Sequence, residues 1–151
     1  MKYYMITLIF LILLLNACSY KNAYTSFDMN KTQQLIESNT QSSKLETNSS
    51  VDAIFTAIYL NNLDKNIIKK DTFLISLYVK ERVGSYMFRL NGVNMENMEI
   101  VDKKNVYFPL VKNQNSWNKS YLIKFKKSVK DINLTLSIDG LSSYPLIFFR
   151  E

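Results

Sequence analysis

The chain has 151 residues, is 47% hydrophobic and 13% aromatic, and carries a net charge of +6 with no His and a single Cys. That length holds one ordinary domain plus an appendage. Without His there are no imidazole metal sites, Ser-His-Asp triads or Cys-His dyads, and one Cys excludes an internal disulfide framework or a thiolate metal cluster. The N-terminus opens on Met1-Lys2, and Tyr3 to Leu15 is apolar apart from Thr7. Thirteen residues of helix span roughly 20 Å, short of the ~30 Å hydrocarbon core of a bilayer. That length predicts the apolar region of an export signal rather than a permanent membrane span. The run closes on Leu15-Asn16-Ala17-Cys18.

These four residues resemble the lipobox of bacterial lipoprotein precursors. Leu15 takes the aliphatic position three before the Cys, Ala17 the small position at the cut, and Cys18 the invariant thiol; Asn16 stands where Ala, Ser, Thr or Val is usual. The resemblance covers about twenty residues and implies nothing about the domain behind them. It implies that residues 1–17 are a signal peptide cut between Ala17 and Cys18. It also implies that Cys18 is diacylated and that its new amine is acylated in turn. The thiol is the nucleophile that accepts lipid. Each buried methylene then contributes about 0.8 kcal/mol, so two or three chains anchor a protein to the bilayer where one would not. Ser19 rather than Asp follows the Cys. Under the sorting rule of enteric lipoproteins this implies an outer-membrane location, facing the periplasm.

Residues 18–50 read as a lipidated, mostly disordered tether. From Ser38 to Ser50, ten of thirteen residues are Ser, Thr, Asn or Gln, too little apolar surface to offset the entropy of ordering. One short helix is expected around Asn30 to Glu37, with Leu35 and Ile36 as its apolar pair. Charge is uneven: residues 18–50 hold three Lys and three acids, whereas 51–151 hold fifteen Lys and Arg against ten acids.

Residues 51–151 read as one β domain. Ala53–Leu60 reads as a strand from its β-branched and aromatic content. Alternating apolar positions mark Phe73, Ile75, Leu77 and Val79; then Tyr86, Phe88 and Leu90; then Tyr121, Ile123 and Phe125; then Ile132, Leu134, Leu136 and Ile138. Val106–Val111 and Pro145–Phe149 are continuous apolar runs. Turn signals lie between them at Asn61-Asn62, Asn91-Gly92, Asn113-Gln114-Asn115 and Asp139-Gly140, the last positioned to close a hairpin. The pattern predicts a mainly β fold, a small antiparallel sandwich of about seven strands, Ig-like or transthyretin-like. Pro109 and Pro145 are expected at edges or strand starts.

Little in this domain carries chemistry. The acids are scattered and flank turns, as Asp64, Asp71, Asp102, Asp131 and Asp139 do, which predicts solvated carboxylates. Met95–Glu99 lacks the Asp-x-Asp-x-Asp-Gly pattern of a calcium loop, and the three Gly are isolated, so neither a metal nor a cofactor is expected. Lys119, Lys124 and Lys126 offer a basic stripe for an anionic surface or an acidic partner, or a solvated face that blunts edge pairing. Trp117, the only Trp, sits in a polar loop, either as an anchor for a protein or glycan or as a cover for one end of the sandwich. Asn48 and Asn133 each match the extended bacterial N-glycosylation sequon, and Asn48, in the tether, is the accessible candidate.

The reading is a non-enzymatic, membrane-anchored envelope lipoprotein with a binding or structural role, an accessory part of an envelope assembly. Its partner would be an envelope protein or a glycan, and export removes it from nucleic acid. The alternative is a sandwich that binds a small ligand or lipid in a cavity between its sheets. A third reading, a carboxylate hydrolase, requires two acids converging in a cleft.

Overall fold

The computed structural model describes residues 29–47, 50–80, 85–111, 116–129 and 131–150. The chain forms two compact units, Met1–Gln34 and Leu35–Glu151, and the second holds the β domain.

The first described element is helix α1 (Lys31–Ser38). Its start is a reciprocal capping box. The Asn30 side chain accepts the Gln33 N–H at 2.8 Å, and the Gln33 side chain accepts the Asn30 N–H at 3.0 Å. Its end is closed by side chains as well: Asn39 donates to the Leu35 carbonyl at 2.9 Å and Thr40 to that of Ile36 at 2.6 Å.

Among the described residues ten strands follow: β1 (Thr40–Thr47), β2 (Ser50–Tyr59), β3 (Lys70–Val79), β4 (Tyr86–Leu90), β5 (Val93–Asn94), β6 (Asn97–Ile100), β7 (Lys119–Lys126), β8 (Ile132–Ile138), β9 (Leu141–Ser142) and β10 (Leu146–Phe148). They build two sheets, ordered β1-β2-β3-β7-β6 and β10-β8-β4-β5, with β9 beside β8. Every pairing is antiparallel. The expected small antiparallel sandwich is therefore what forms. Six of its seven expected strands are present, and β1, β5, β6 and β9 are added.

Two hairpins rest on dipeptides visible in the sequence. Asn91 (φ 51°) and Gly92 (φ 80°) join β4 to β5, and Asp139 (φ 47°) and Gly140 (φ 84°) join β8 to β9. Both loops have two residues with positive φ, the turn whose twist matches the flanking strands. Further on, Ser142 faces Ser137 and Leu146 faces Leu134, so three residues of one strand oppose two of the other. Pro145 sits in this bulge, where its missing N–H costs no ladder bond. The Ser143 hydroxyl accepts the Leu136 N–H at 3.1 Å in place of a backbone carbonyl.

Alternate residues of both sheets meet in one core. Phe55, Phe73, Phe88, Ile123 and Leu134 are all 0% exposed. Rings bridge the sheets: Phe55 and Phe88 meet edge-on at 5.5 Å, and Phe73 and Phe148 at 5.4 Å. The outer face of the first sheet carries a second apolar layer. Ile58, Leu74 and Leu122 pack there with Val101 and Val111, under Ile36 of α1.

Two expectations change. The tether expected over 18–50 does not run to residue 50, because Thr40–Thr47 is an edge strand paired along its length with β2. Leu45 is its only buried hydrophobic residue, so the segment is held by backbone bonds and by specific polar side chains. Both ends of the Gln41 amide bond the backbone of Ile147, and Ser43 donates to the Tyr144 carbonyl at 3.2 Å, fastening β1 to the second sheet. The second change is at Val106–Val111, an apolar run expected as a strand. It forms turns and a 3-10 helix at Phe108–Leu110, with Pro109 at its start. Pro145, just before β10, does stand at a strand start.

Candidate functional site

The outer face of the first sheet is only partly covered by the second apolar layer, and a groove of about 480 Å³ opens beside it. Strand register lays out its floor in rows. Ser42 faces Thr56, Thr56 faces Ser76, and Ser76 faces Ser120, so four hydroxyl residues cross four strands in one line. Successive members stand about 4.8 Å apart. Ser42 and Thr56 share a hydrogen bond of 2.7 Å. The buried Ser76 Oγ finds no hydrogen-bond partner among the described residues. Mixed rows flank this line: Thr40, Ile58 and Leu74 on one side, Lys44, Ile54 and Tyr78 on the other. Leu110, Val111, Trp117 and Asn118 line the groove as well, and none of its lining residues among the described ones is charged. A groove of this volume lies within the usual range for small-ligand sites.

Trp117 is 75% exposed and borders this groove. The three lysines do not form one stripe. Lys124 and Lys126 share the outer face of β7, but Lys119 has the parity of the core-facing Tyr121 and Ile123, and so belongs to the opposite face. Lys124 is also paired, its ammonium 3.1 Å from Glu99, whose carboxyl the bond and charge of Lys124 hold below the usual range. Lys124 lines a second cavity of about 540 Å³ on the same sheet, with Lys69, Lys70 and Tyr107. Lys70 is itself 2.9 Å from Glu96. Ala17, Cys18 and Asn48 lie outside the described residues. Asn133, in the second sequon, is the second residue of β8, opposite Ile147.

Asp71 is a correction. It is 0% exposed rather than a solvated turn acid. Arg150 reaches it bidentately, 2.8 Å to each oxygen; Tyr59 donates at 2.8 Å and the Ser128 N–H at 2.6 Å. Among the described residues Asp71 is the one buried acid, and both of its oxygens are engaged by donors. Burial pushes the Tyr59 hydroxyl up to about 12; its bond with Arg150 opposes this and Asp71 reinforces it. Tyr107 is likewise raised to about 12, by burial and then by its 2.7 Å bond to Asp64. That same bond is the main reason the half-buried Asp64 carboxyl lies below its usual range.

The sequence reading missed the hydroxyl row. Its trace is a small hydroxyl residue at the centre of each outward-facing set, Ile54-Thr56-Ile58 and Leu74-Ser76-Tyr78. Only the register between strands shows that the two align.

No protein-family model, curated protein or solved structure matches this chain.

Proposed function

We propose that this chain is a bacterial envelope lipoprotein, anchored through acylated Cys18, whose sandwich is a non-enzymatic binding module. The anchor rests on Leu15-Asn16-Ala17-Cys18 at the end of an apolar run too short to span a bilayer. The observation that carries the binding role is the groove on the outer face of the first sheet, with Trp117 at its border. Support for a non-enzymatic role comes from Asp71, because a carboxylate saturated by Arg150, Tyr59 and Ser128 has no lone pair placed to take a substrate proton. The partner is an envelope protein or glycan, and the protein is an accessory part of an envelope assembly in the outer membrane.

The test compares the wild-type chain with Cys18→Ala in the native envelope. Wild type should fractionate with the membrane, at the mass of the cleaved and acylated form. The variant should keep its signal peptide and lose the acyl mass. Crosslinking should capture a discrete partner with the anchored form alone. Equal membrane retention and equal mass for the two would refute the anchor.

A further inference from the structure

We propose that the end of the sandwich at which the chain enters the β domain docks on an anionic bilayer, seating lipid phosphates between Lys69, Lys70 and Lys124. The proposal rests on the anchored-lipoprotein reading and adds a second, non-covalent contact with the same membrane.

Topology gathers the surface. Register brings the end of β2, the start of β3 and the end of β7 to one end of the first sheet, since Thr40 faces Ile58 and Lys70 faces Lys126. The Lys127 ammonium donates to the Ile68 carbonyl at 2.6 Å, joining the two loops of this end. Asn61 braces the loop before β3 from within, donating to the carbonyls of Ile67 at 3.0 Å and Lys70 at 2.7 Å. A cavity of about 540 Å³ opens here, lined by Lys69, Lys70 and Lys124 together with Thr72 and Asn97. A smaller one of about 140 Å³ is lined by Lys126 and Lys127. Lys70 and Lys126 stand directly opposite one another in the ladder, where like charges repel and an anion would relieve them. Glu96 and Glu99 offset part of this charge at Lys70 and Lys124, and Asp64 and Asp71 are engaged by Tyr107 and Arg150. Glu37 and Asp131 are the other acids of this end. Lys69 and Lys126 form no ion pair among the described residues. Beside these lysines Ile68 is 67% exposed and Val129 100%. Apolar side chains ringed by lysines suit a bilayer interface, where the former enter the headgroup boundary and the latter meet phosphates.

The length of the tether favours the bilayer as the occupant. The chain enters the β domain at this same end: the Asn39 carbonyl accepts the Tyr59 N–H at 2.9 Å, and its side chain accepts from Asn62 at 2.7 Å. Between Cys18 and α1 lie residues 19–30 alone, which span about 40 Å at full extension. The opposite end lies ten residues further along β3, about 33 Å away. A chain acylated at Cys18 therefore holds the lysine-bearing end nearer the membrane, and at so short a tether even a weak contact is populated.

Lysine labelling tests the proposal. The chain purified from native envelopes would be reconstituted into vesicles of phosphatidylcholine, or of phosphatidylcholine and phosphatidylglycerol in equal parts, and treated with an amine-reactive reagent. Mass spectrometry then reads each lysine. Lys69, Lys126 and Lys127 should label severalfold more slowly on the anionic vesicles. Lys80 and Lys119, exposed at the opposite end, should label alike on both. Protection should vanish at about 1 M salt, where the Debye length falls to about 3 Å. Each lysine beside an anionic surface contributes roughly fivefold, so Lys69→Gln with Lys126→Gln should weaken docking by roughly 25-fold and return Lys127 to its rate on neutral vesicles. Ile68→Ser should lose part of the protection. Urea midpoints matching wild type would show that these variants fold. The proposal is overturned if the two vesicles give the same rates, if Lys80 and Lys119 slow as much, or if the double variant is protected as wild type is. Protection in native envelopes but not on protein-free vesicles would assign this end to an acidic protein and overturn it as well. The mass of the Cys18 peptide is read in the same samples, so an unacylated Cys18 counts against the anchor, and unprotected lysines on an acylated chain count against docking alone.

Discussion

Replacing Arg150 by Met tests whether the buried carboxylate is a structural clamp. Asp71 is wholly buried and the Arg150 side chain is 32% exposed. The substitution keeps a side chain of similar length and removes both 2.8 Å bonds to the carboxylate, as well as the 3.2 Å bond to the Tyr59 hydroxyl. Asp71 then keeps only the Tyr59 hydroxyl and the Ser128 N–H as donors. Stranding one partner of a fully buried pair costs about 3–5 kcal/mol. Because one face of the guanidinium meets solvent, the cost is discounted below that range, to about 2–3 kcal/mol. A domain of this size is stable by roughly 5–15 kcal/mol, so the loss is a large fraction of the whole. With a urea slope of about 1.5 kcal/mol per molar, the midpoint should fall by roughly 1.3–2 M. Asp71→Asn in the Arg150→Met background should recover part of that loss, because the uncompensated charge is gone, and the double-mutant cycle should show coupling above about 1 kcal/mol. A shift below about 0.5 kcal/mol for Arg150→Met would refute the reasoning, since that is what an exposed ion pair contributes.

Phe73→Ala should destabilise by about 3–5 kcal/mol, because a fully buried ring in edge contact with Phe125 and Phe148 is lost; urea unfolding measures it, and a cost under about 1 kcal/mol would show that the core collapses around the gap. At Gly140→Ala nothing lies within 4 Å of the added Cβ, so only the φ of +84° resists, and the cost should be about 1 kcal/mol in the same assay. Ser76→Ala removes a buried hydroxyl without a partner among the described residues and should leave stability unchanged or raise it slightly; a loss above about 1 kcal/mol would mean the hydroxyl is bonded. Alkaline stability follows from Tyr59 and Tyr107, whose folded-state values of about 12 lie above the unfolded 10. Their contribution is complete below pH 10 and is lost as pH rises through 12, so circular dichroism should show unfolding in that window, later and less steeply in Tyr59→Phe.

What the amino-acid order alone determined was local. The alternation at Phe73–Val79, Tyr86–Leu90, Tyr121–Phe125 and Ile132–Ile138 specifies strands with one buried face, because a period of two puts every second side chain on the same side. Asn91-Gly92 and Asp139-Gly140 specify their turns, because Gly accepts positive φ without a steric cost and Asn and Asp tolerate it. The proposed export signal and Cys18 anchor likewise rest on a contiguous run. Features that depend on distant partners were decided by the tertiary structure. The polar segment Thr40–Thr47 becomes a strand because β2 supplies its ladder and Ile147 its Gln41 contacts, neither of which its own composition foretells. Asp71 sits beside turn residues in sequence, and only the approach of Arg150, 79 residues on, makes burial of its charge tolerable. Lys119 leaves the lysine stripe because strand parity counts positions, whereas composition counts only neighbours. The groove follows the same logic. Ser42, Thr56 and Ser76 lie on three strands, and antiparallel register brings them into one line.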